Sequence, residues 1–159
     1  MLAVTESTIR ASFVNASKKE VSDMSLPESF DSIDFERLDY FGWRDRKIAR
    51  RAYIAVPTDD GLVCVMLKQA EAATRQRAQC SWCQDVTLPN DVALFTARRA
   101  GAAGRNGNVI GTLICANFEC SSNVRKLPPM AYIGFDAEAA RIDRMLTLQI
   151  RATDFVAGI

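Results

Sequence analysis

The chain has 159 residues, of which 25% are charged, and a formal net charge of +1 at pH 7. This length suits one domain with a buried core, and the near-zero charge gives no general reason to expect a nucleic-acid or membrane partner. The chain contains no histidine. Because that removes the commonest general base and every Ser-His or Cys-His nucleophile pair, we do not expect an enzyme.

The opening of the chain is predicted to form short amphipathic helices. Thr5 can cap a helix over residues 5–17, in which Ile9 and Phe13 fall on one side. A second short helix is expected over residues 18–24. The first residues contain neither a basic segment nor a long apolar run, so we expect no secretory signal and a reducing cytoplasm.

An aromatic cluster around a glycine follows at residues 40–43, with the sequence YFGW. The favoured interpretation is an apolar plug that joins the helical segment to a sheet. The alternative is an exposed platform, with Trp43 free to stack on a base or on a partner side chain.

A β-hairpin is predicted over residues 51–68. Residues 51–56 alternate, with Ala52, Ile54 and Val56 on one face, and the sequence PTDDG at 57–61 is a strong turn signal. The returning strand is apolar and contains Cys64, which we interpret as a small buried hydrophobic residue. The polar stretch 71–79 that follows fits a solvated strand or an irregular connection.

Two close cysteine pairs dominate the second half of the chain: Cys80 with Cys83, and Cys115 with Cys120. Two such pairs about thirty residues apart are the usual way to present four thiolates to one tetrahedral Zn²⁺. A redox pair is the alternative for residues 80–83, but Pro89 and Asn90 soon afterwards disfavour the long helix it needs. The remaining alternatives for the four cysteines are two disulfides or inert buried thiols. Four cysteine ligands leave no position for an activated water, so the predicted zinc is structural.

The run between the cysteine pairs is predicted to be a second hairpin, with strands over residues 92–97 and 109–115. Its tip has glycines every three residues, several basic and amide side chains, and no acid. Such a tip can surround phosphates or carboxylates with backbone N–H groups and guanidinium groups. The candidate partner-binding residues are Arg98, Arg99, Arg105, Asn106 and Asn108. The alternative is a solvated loop with no target.

Two helices complete the prediction. A short one over residues 119–126 should pack on the zinc, and a long one over residues 136–156 should begin at a capping Asp136. The long helix has broad apolar faces and is expected to serve the core. Its apolar residues are Ala140, Ile142, Met145, Leu146, Leu148, Ile150, Phe155 and Val156. The predicted fold is α+β: a treble-clef zinc finger with antiparallel hairpins, short N-terminal helices and a long C-terminal helix.

Several of these segments together resemble a known family. They are residues 4–15 (VTESTIRASFVN), 40–45 (YFGWRD), 80–83 (CSWC) and 97–120, which includes ARRAGAAGRNGN, GTLIC and the last cysteine. The combination of cysteine spacing and arginine–glycine hairpin is similar to the FBP domain. This domain is the C-terminal treble-clef zinc module of the FusB-type elongation factor G-binding proteins.

The resemblance implies a single FBP-type domain over residues 1–159. Its parts are a helical segment at 5–45, a hairpin with the zinc subdomain at 51–127, and a C-terminal helix at 136–156. It also implies a non-catalytic, bacterial cytoplasmic protein that binds elongation factor G and promotes its release from stalled ribosomes. In some members this release protects translation from fusidic acid. The FusB-type proteins carry a separate N-terminal helical bundle, whereas this sequence starts essentially at the zinc-bearing domain, so we do not expect resistance to follow from the resemblance.

Two functional hypotheses follow. The first is a protein–protein adaptor that uses zinc as scaffold and the arginine hairpin as its contact surface for elongation factor G. The second is an RNA- or ribosome-binding module that reads backbone charge, with Trp43 or Trp82 available for stacking. The near-zero net charge favours the first. We expect no membrane contact and no small-molecule substrate.

Overall fold

A computed structural model describes residues 1–71, 78–86 and 91–159 of the chain. Residues 72–77, the middle of the connection predicted over residues 71–79, and the Pro89–Asn90 dipeptide lie outside these residues. Within the described part of the chain, no helix is both long enough and apolar enough to span a bilayer.

Five antiparallel strands form one sheet in the order β1-β2-β3-β4-β5, so every strand pairs with its neighbour in sequence. The strands are β1 Phe41–Arg44, β2 Arg51–Thr58, β3 Gly61–Gln69, β4 Val92–Arg98 and β5 Val109–Cys115. The β2–β3 hairpin, predicted from the alternation in residues 51–56 and the turn signal at 57–61, is present. The second predicted hairpin, β4–β5, is also present.

The sheet is not evenly paired. Strands β2 and β3 pair along their whole length, whereas β3 and β4 pair only at Lys68–Thr96 and Gln69–Phe95. Beyond that point the amide of Asn15 bridges the two strands. It donates to the carbonyl oxygens of Met66 and Arg98, both at 3.0 Å, and accepts from the Met66 N–H at 2.8 Å. The N-terminal segment therefore completes the sheet with a side chain.

Helices flank the sheet. They are α1 Glu6–Ala11, α2 Lys18–Asp23, α3 Gly101–Arg105, α4 Cys120–Val124 and α5 Ala137–Ala157, together with short 3₁₀ turns at Phe30–Ser32 and Phe35–Arg37. Thr5 caps α1 through its side chain, and Asp136 caps α5, as the sequence predicts. The α+β class with short N-terminal helices and a long C-terminal helix is confirmed.

The prediction that the first helix continues to residue 17 is wrong, because α1 ends at Ala11. The following residues instead pair with the sheet. The Cys64 N–H donates to the Ser12 carbonyl at 2.9 Å, and the Val14 N–H donates to the Cys64 carbonyl at 3.1 Å. Cys64 itself is fully buried, and burial raises the pKa of its thiol to about 12, in keeping with a small core residue.

The sheet separates two apolar clusters. One cluster lies under α1 and the 3₁₀ turns and includes Phe41 and Trp43, whose rings stack at 4.6 Å. The other contains Cys80, Cys83, Cys115 and Cys120 together with the inner face of α5. Trp43 is 4% exposed and Trp82 is 3% exposed. The predicted aromatic plug is therefore confirmed, and the alternative in which either tryptophan stacks on a base is wrong.

The long helix serves the core through only part of its apolar surface. Leu148, Ala152 and Val156 are buried, whereas Ile142, Leu146 and Ile150 are 53%, 53% and 61% exposed. The predicted core role is thus wrong for these last three side chains, since the 3.6-residue period predicts a helix without saying which apolar face it buries.

Candidate metal centre and basic hairpin

The first cysteine pair lies in a tight knuckle at residues 80–83. The Gln84 N–H donates to the Cys80 carbonyl at 3.0 Å, and Gln84 adopts a left-handed φ of 49°. The Cys83 N–H also points at the Cys80 sulfur, 3.5 Å away. The Ser81 N–H donates to the Leu113 carbonyl on β5 at 2.7 Å, so the knuckle is fastened to the strand that carries the third cysteine.

The second pair lies where β5 ends and α4 begins. Cys115 is the last residue of β5, and Cys120 is the first residue of α4. Between them the Phe118 N–H donates to the Cys115 carbonyl at 3.0 Å, and Phe118 has a left-handed φ of 62°. A knuckle, a hairpin and a helix that begins at a ligand are the parts of a treble clef, so the predicted arrangement is present.

The structure brings all four sulfurs together. They lie within 4.8 Å of one another, with 3.6 Å between the sulfurs of Cys80 and Cys120 and 3.7 Å between those of Cys83 and Cys115. Zn–S bonds of about 2.3 Å in a tetrahedron require S···S separations of about 3.8 Å. A disulfide requires about 2.05 Å. The donor set therefore fits a single structural Zn²⁺, and all four cysteines are unpaired.

The short distances between these four thiols are those expected around a bound cation. Hydrogen bonds from Cys115 and Cys120 lower the pKa of the Cys80 thiol, while hydrogen bonding with Cys115 and Cys80 raises the pKa of Cys120. Four buried sulfurs this close cannot all be thiolates without a positive charge between them, and a bound zinc ion supplies that charge.

The surroundings of Tyr40 test independently whether this site fits a zinc ion. Its hydroxyl is buried and has no hydrogen-bond partner among the described residues. Burial, and next the charge of the Cys120 sulfur, raises the pKa of Tyr40 well above its ordinary value, so the hydroxyl keeps its proton. A zinc-bound thiolate at Cys120 is an acceptor that would satisfy this donor. Sequence reasoning assigned Tyr40 to the plug and missed this role.

Asn123 supports the same sulfurs from the last turn of α4. It is 1% exposed, and its amide nitrogen lies 3.6 Å from the Cys115 sulfur and 4.0 Å from the Cys83 sulfur. Lys126 donates to the Asn123 amide oxygen at 3.0 Å, which turns the N–H₂ group toward the sulfurs. The sequence analysis also missed Asn123, although a polar residue three positions after the last ligand is a usable signal.

Helix α5 holds the centre in place from outside. Arg144 donates to the Asn123 carbonyl at 3.2 Å and pairs with the carboxylate of Asp85 at 3.2 Å. About two helical turns further along, Arg151 donates to the Trp82 carbonyl at 3.0 Å. The C-terminal helix therefore clamps both the first knuckle and α4, and the metal centre belongs to the core.

The tip of the basic hairpin differs from the predicted glycine-rich loop, because residues 101–105 form the short helix α3. Gly104 packs against the Arg99 carbonyl group, with its Cα so close that an added Cβ would lie 2.8 Å from the carbonyl carbon. The tip closes through the Arg99 N–H, which donates to the Asn108 carbonyl at 3.0 Å. The tip is therefore an ordered element and not an irregular ribbon.

The candidate partner-binding residues occupy different environments on this tip. Arg98 pairs with Glu20 of α2 at 2.9 Å, so its charge is already balanced. Arg99 and Arg105 form no ion pair with any described residue, and both are exposed. Asn106 and Asn108 are exposed too, and their backbone N–H groups end α3 by donating to carbonyls within it. Their assignment to a partner stays a prediction.

A cleft of about 320 Å³ lies between the tip and the N-terminal segment. Its charged lining residues are Glu20, Arg98, Arg99 and Arg105, so basic groups outnumber acidic ones by three to one. Strands β4 and β5 connect this cleft directly to the metal centre, since β5 runs from Val109 beside the tip to Cys115.

Comparison with protein families gave a match to the model described as FBP C-terminal treble-clef zinc-finger, over residues 8–159. Because the match spans nearly the whole chain, the chain belongs to this family. Comparison with curated proteins and with solved structures gave no significant match.

Proposed function

We propose that this FBP-family zinc finger is a non-catalytic adaptor that works in the bacterial cytoplasm. In this proposal it binds elongation factor G and promotes the release of the factor from stalled ribosomes. The resemblance of residues 97–120 to the FusB-type proteins supports the choice of partner. The four-cysteine centre supports a scaffolding role, since four thiolates close the coordination shell of zinc. We treat residues 1–159 as one functional unit.

The observation that carries the proposal is the pair of uncompensated arginines on an ordered tip. Arg99 and Arg105 are exposed, and neither forms an ion pair with a described residue. Guanidinium groups held on a rigid element bind carboxylates in a bidentate manner with little loss of entropy. Loops and tips presented by a rigid scaffold are frequent binding sites. We therefore place the first contact with elongation factor G at these two side chains.

Calorimetric titration of purified elongation factor G with the zinc-loaded chain tests this contact. We expect the Arg99→Ala/Arg105→Ala variant to keep its zinc and its melting temperature and to bind about tenfold or more weakly, as removal of an interface hot spot does. Arg37→Ala, which removes an exposed arginine from the 3₁₀ turn Phe35–Arg37, is the matched control. Equal affinity of the double variant and the control would remove the tip from the interface.

RNA binding is the alternative that the same experiment must separate. With Trp43 and Trp82 buried, neither tryptophan can stack on a base, so an RNA complex would depend chiefly on backbone charge. Such a complex should weaken steeply with salt and disappear on nuclease treatment, whereas a mixed protein interface should weaken gently. A complex with elongation factor G that survives nuclease supports the adaptor.

A further inference from the structure

Strand β5 forms one edge of the sheet, and alternate residues along it turn their backbone groups away from β4. The Arg99 N–H donates to the Asn108 carbonyl just before β5 begins, which fixes the phase of the ladder between the two strands. In an antiparallel ladder, hydrogen-bonded pairs alternate with pairs that are not hydrogen-bonded. The even-numbered residues of β5 therefore bond to β4, whereas Val109, Gly111 and Leu113 direct their N–H and C=O groups outward.

The outward groups are covered at one end of this edge. The Ser81 N–H donates to the Leu113 carbonyl at 2.7 Å, so the first zinc knuckle covers the edge there. Among the described residues, the backbone groups of Val109 and Gly111 have no such partner. Gly111 is exposed and the Val109 side chain is 56% exposed, so solvent reaches this stretch. The free part of the edge thus lies between the knuckle and the arginine tip.

Strand β5 carries neither of two sequence features that commonly protect an edge strand, a charged side chain or a proline. Its sequence, VIGTLIC, contains no charged residue and no proline. The opposite edge, β1, has only four residues, and the Phe118 ring lies against its Gly42. An uncharged edge with free backbone groups is the feature to which an additional strand binds in β-augmentation.

Gly111 indicates which side chain such a strand can carry. On the outer face of the sheet, an added Cβ at Gly111 would lie 3.5 Å from the Cδ1 atom of Leu94, whose side chain is 38% exposed. Aromatic side chains on a neighbouring strand pack well over an edge glycine, because they cover the surface that the missing side chain leaves open. On the other face, Ile110 lies beside the end of α5 at Gly158, which leaves room only for small or β-branched side chains.

We propose that the β5 edge accepts an extended segment of a partner protein as an additional antiparallel strand, with an aromatic residue opposite Gly111. A second copy of β5 fits poorly. The arginine tip continues β5 beyond Val109, so antiparallel pairing of two β5 edges would place each tip on the other copy's knuckle at Ser81. The pairing uses backbone groups of β5 and not the arginine side chains, so the inference does not depend on binding to elongation factor G.

Two matched peptides test the proposal on the zinc-loaded chain. Both are short blocked peptides that alternate valine and threonine around a central tyrosine. In the first, N-methyl groups block the tyrosine amide and every second amide on either side of it, which are the amides that would face β5. In the second, they block the intervening amides, which would face solvent. The side chains are identical, so a difference in affinity reports the backbone pairing.

We expect the second peptide to bind about tenfold or more tightly than the first, because the first cannot donate its hydrogen bonds to the edge. Hydrogen exchange followed by NMR locates the contact. In the free chain the Val109 and Gly111 amides should exchange faster than those of Ile110 and Thr112, which already bond to β4. The second peptide should slow exchange at Val109 and Gly111.

The variant Gly111→Val tests the choice of an aromatic side chain. It fills the space over the edge with a residue of high strand propensity. We expect the unaltered chain to prefer the tyrosine peptide over one with serine at the centre, and the variant to lose this preference. Zinc content and melting temperature confirm that the variant is folded.

Three results would overturn the proposal. The first is equal affinity for the two methylated peptides, or binding of neither, by the unaltered chain. The second is peptide binding that leaves exchange at Val109 and Gly111 unchanged. The third is a dimer in analytical ultracentrifugation in which these two amides are already protected without peptide, which would make a second copy the occupant.

Discussion

Phe118 lies directly against the backbone of Gly42, so that an added Cβ at Gly42 would be 2.6 Å from the Phe118 Cδ1 atom and 2.7 Å from its Cβ. Gly42 belongs to the edge strand β1, and Phe118 belongs to the left-handed turn between the last two cysteines. The same ring packs on Phe95 at 5.4 Å. The contact joins the N-terminal third of the chain to the metal centre.

Gly42→Ala should therefore destabilise the protein. The methyl group has no free space, and overpacking of a core typically costs about 1–3 kcal/mol. We expect a lower urea midpoint with an unchanged slope. Gly111→Ala is the control, because the nearest atoms to a Cβ at that position on β5 are 3.5 Å away, an ordinary contact. If both variants unfold at the same urea concentration, the close contact does not exist in solution.

Asn15→Ala should open the sheet where β3 and β4 separate. The substitution leaves backbone groups of Met66 and Arg98 without partners, and each buried group left unpaired costs about 1–3 kcal/mol. We expect a loss of about 3 kcal/mol and faster hydrogen exchange at the Met66 amide. Asn117→Ala, at an exposed amide with one long contact of 3.4 Å, should change neither quantity. Unchanged exchange at Met66 would show that Asn15 does not bridge the strands.

Asn123→Ala should weaken zinc binding without removing a ligand. Its amide lies against the Cys115 and Cys83 sulfurs, and loss of such outer partners typically lowers metal affinity about 10–100-fold. Competition with a chelator of known affinity measures the effect. The neighbouring exposed Ser122→Ala is the control. Equal chelator resistance of the two variants would exclude a contribution of Asn123 to the centre.

Tyr53 predicts a specific dependence of stability on alkaline pH. Burial, and next a hydrogen bond of 2.5 Å to Asp45, raises the pKa of Tyr53 well above its ordinary value. The unfolded tyrosine loses its proton at about pH 10, whereas the folded one keeps it. The stability that Tyr53 contributes is therefore complete below pH 10 and is lost as the pH rises toward the folded pKa.

The substitution Tyr53→Phe isolates this contribution. At pH 7 it should cost about 1.5–3 kcal/mol, the usual value of a hydrogen bond to a charged group. The difference in unfolding free energy between the unaltered chain and the variant should shrink above pH 10. Tyr132→Phe, at a 66% exposed tyrosine, should show no such trend. A difference that stays constant from pH 7 to pH 11 would contradict the raised pKa.

Local patterns in the sequence predict most of the fold. Alternation in residues 51–56 and the turn signal after them are sufficient for β2 and β3, and cysteine spacing is sufficient for the metal centre. The hairpin depends on residues close together in the chain, and the metal centre is recognisable because each of its two cysteine pairs is close in sequence, although the pairs are about thirty residues apart. The helix at residues 136–156 is predicted for the same reason, since Asp136 and the apolar period define it locally.

The predictions that are wrong share a different cause. The end of α1 at Ala11 depends on backbone pairing with Cys64, more than fifty residues away, which no local pattern contains. The short helix α3 forms at a site of low helix propensity because the hairpin closes around it. Leu146 is exposed because another side of α5 faces the metal centre. Arg144 and Arg151 fix that orientation by donating to carbonyl groups beside the cysteines.

Zinc K-edge X-ray absorption on the purified chain, combined with metal analysis, tests the central claim most directly. We predict one zinc per chain with four sulfur ligands at about 2.3 Å, and loss of that metal in Cys80→Ser. A zinc content well below one, a first shell that contains nitrogen or oxygen, or thiol counting that finds Cys80, Cys83, Cys115 and Cys120 joined as disulfides would contradict it.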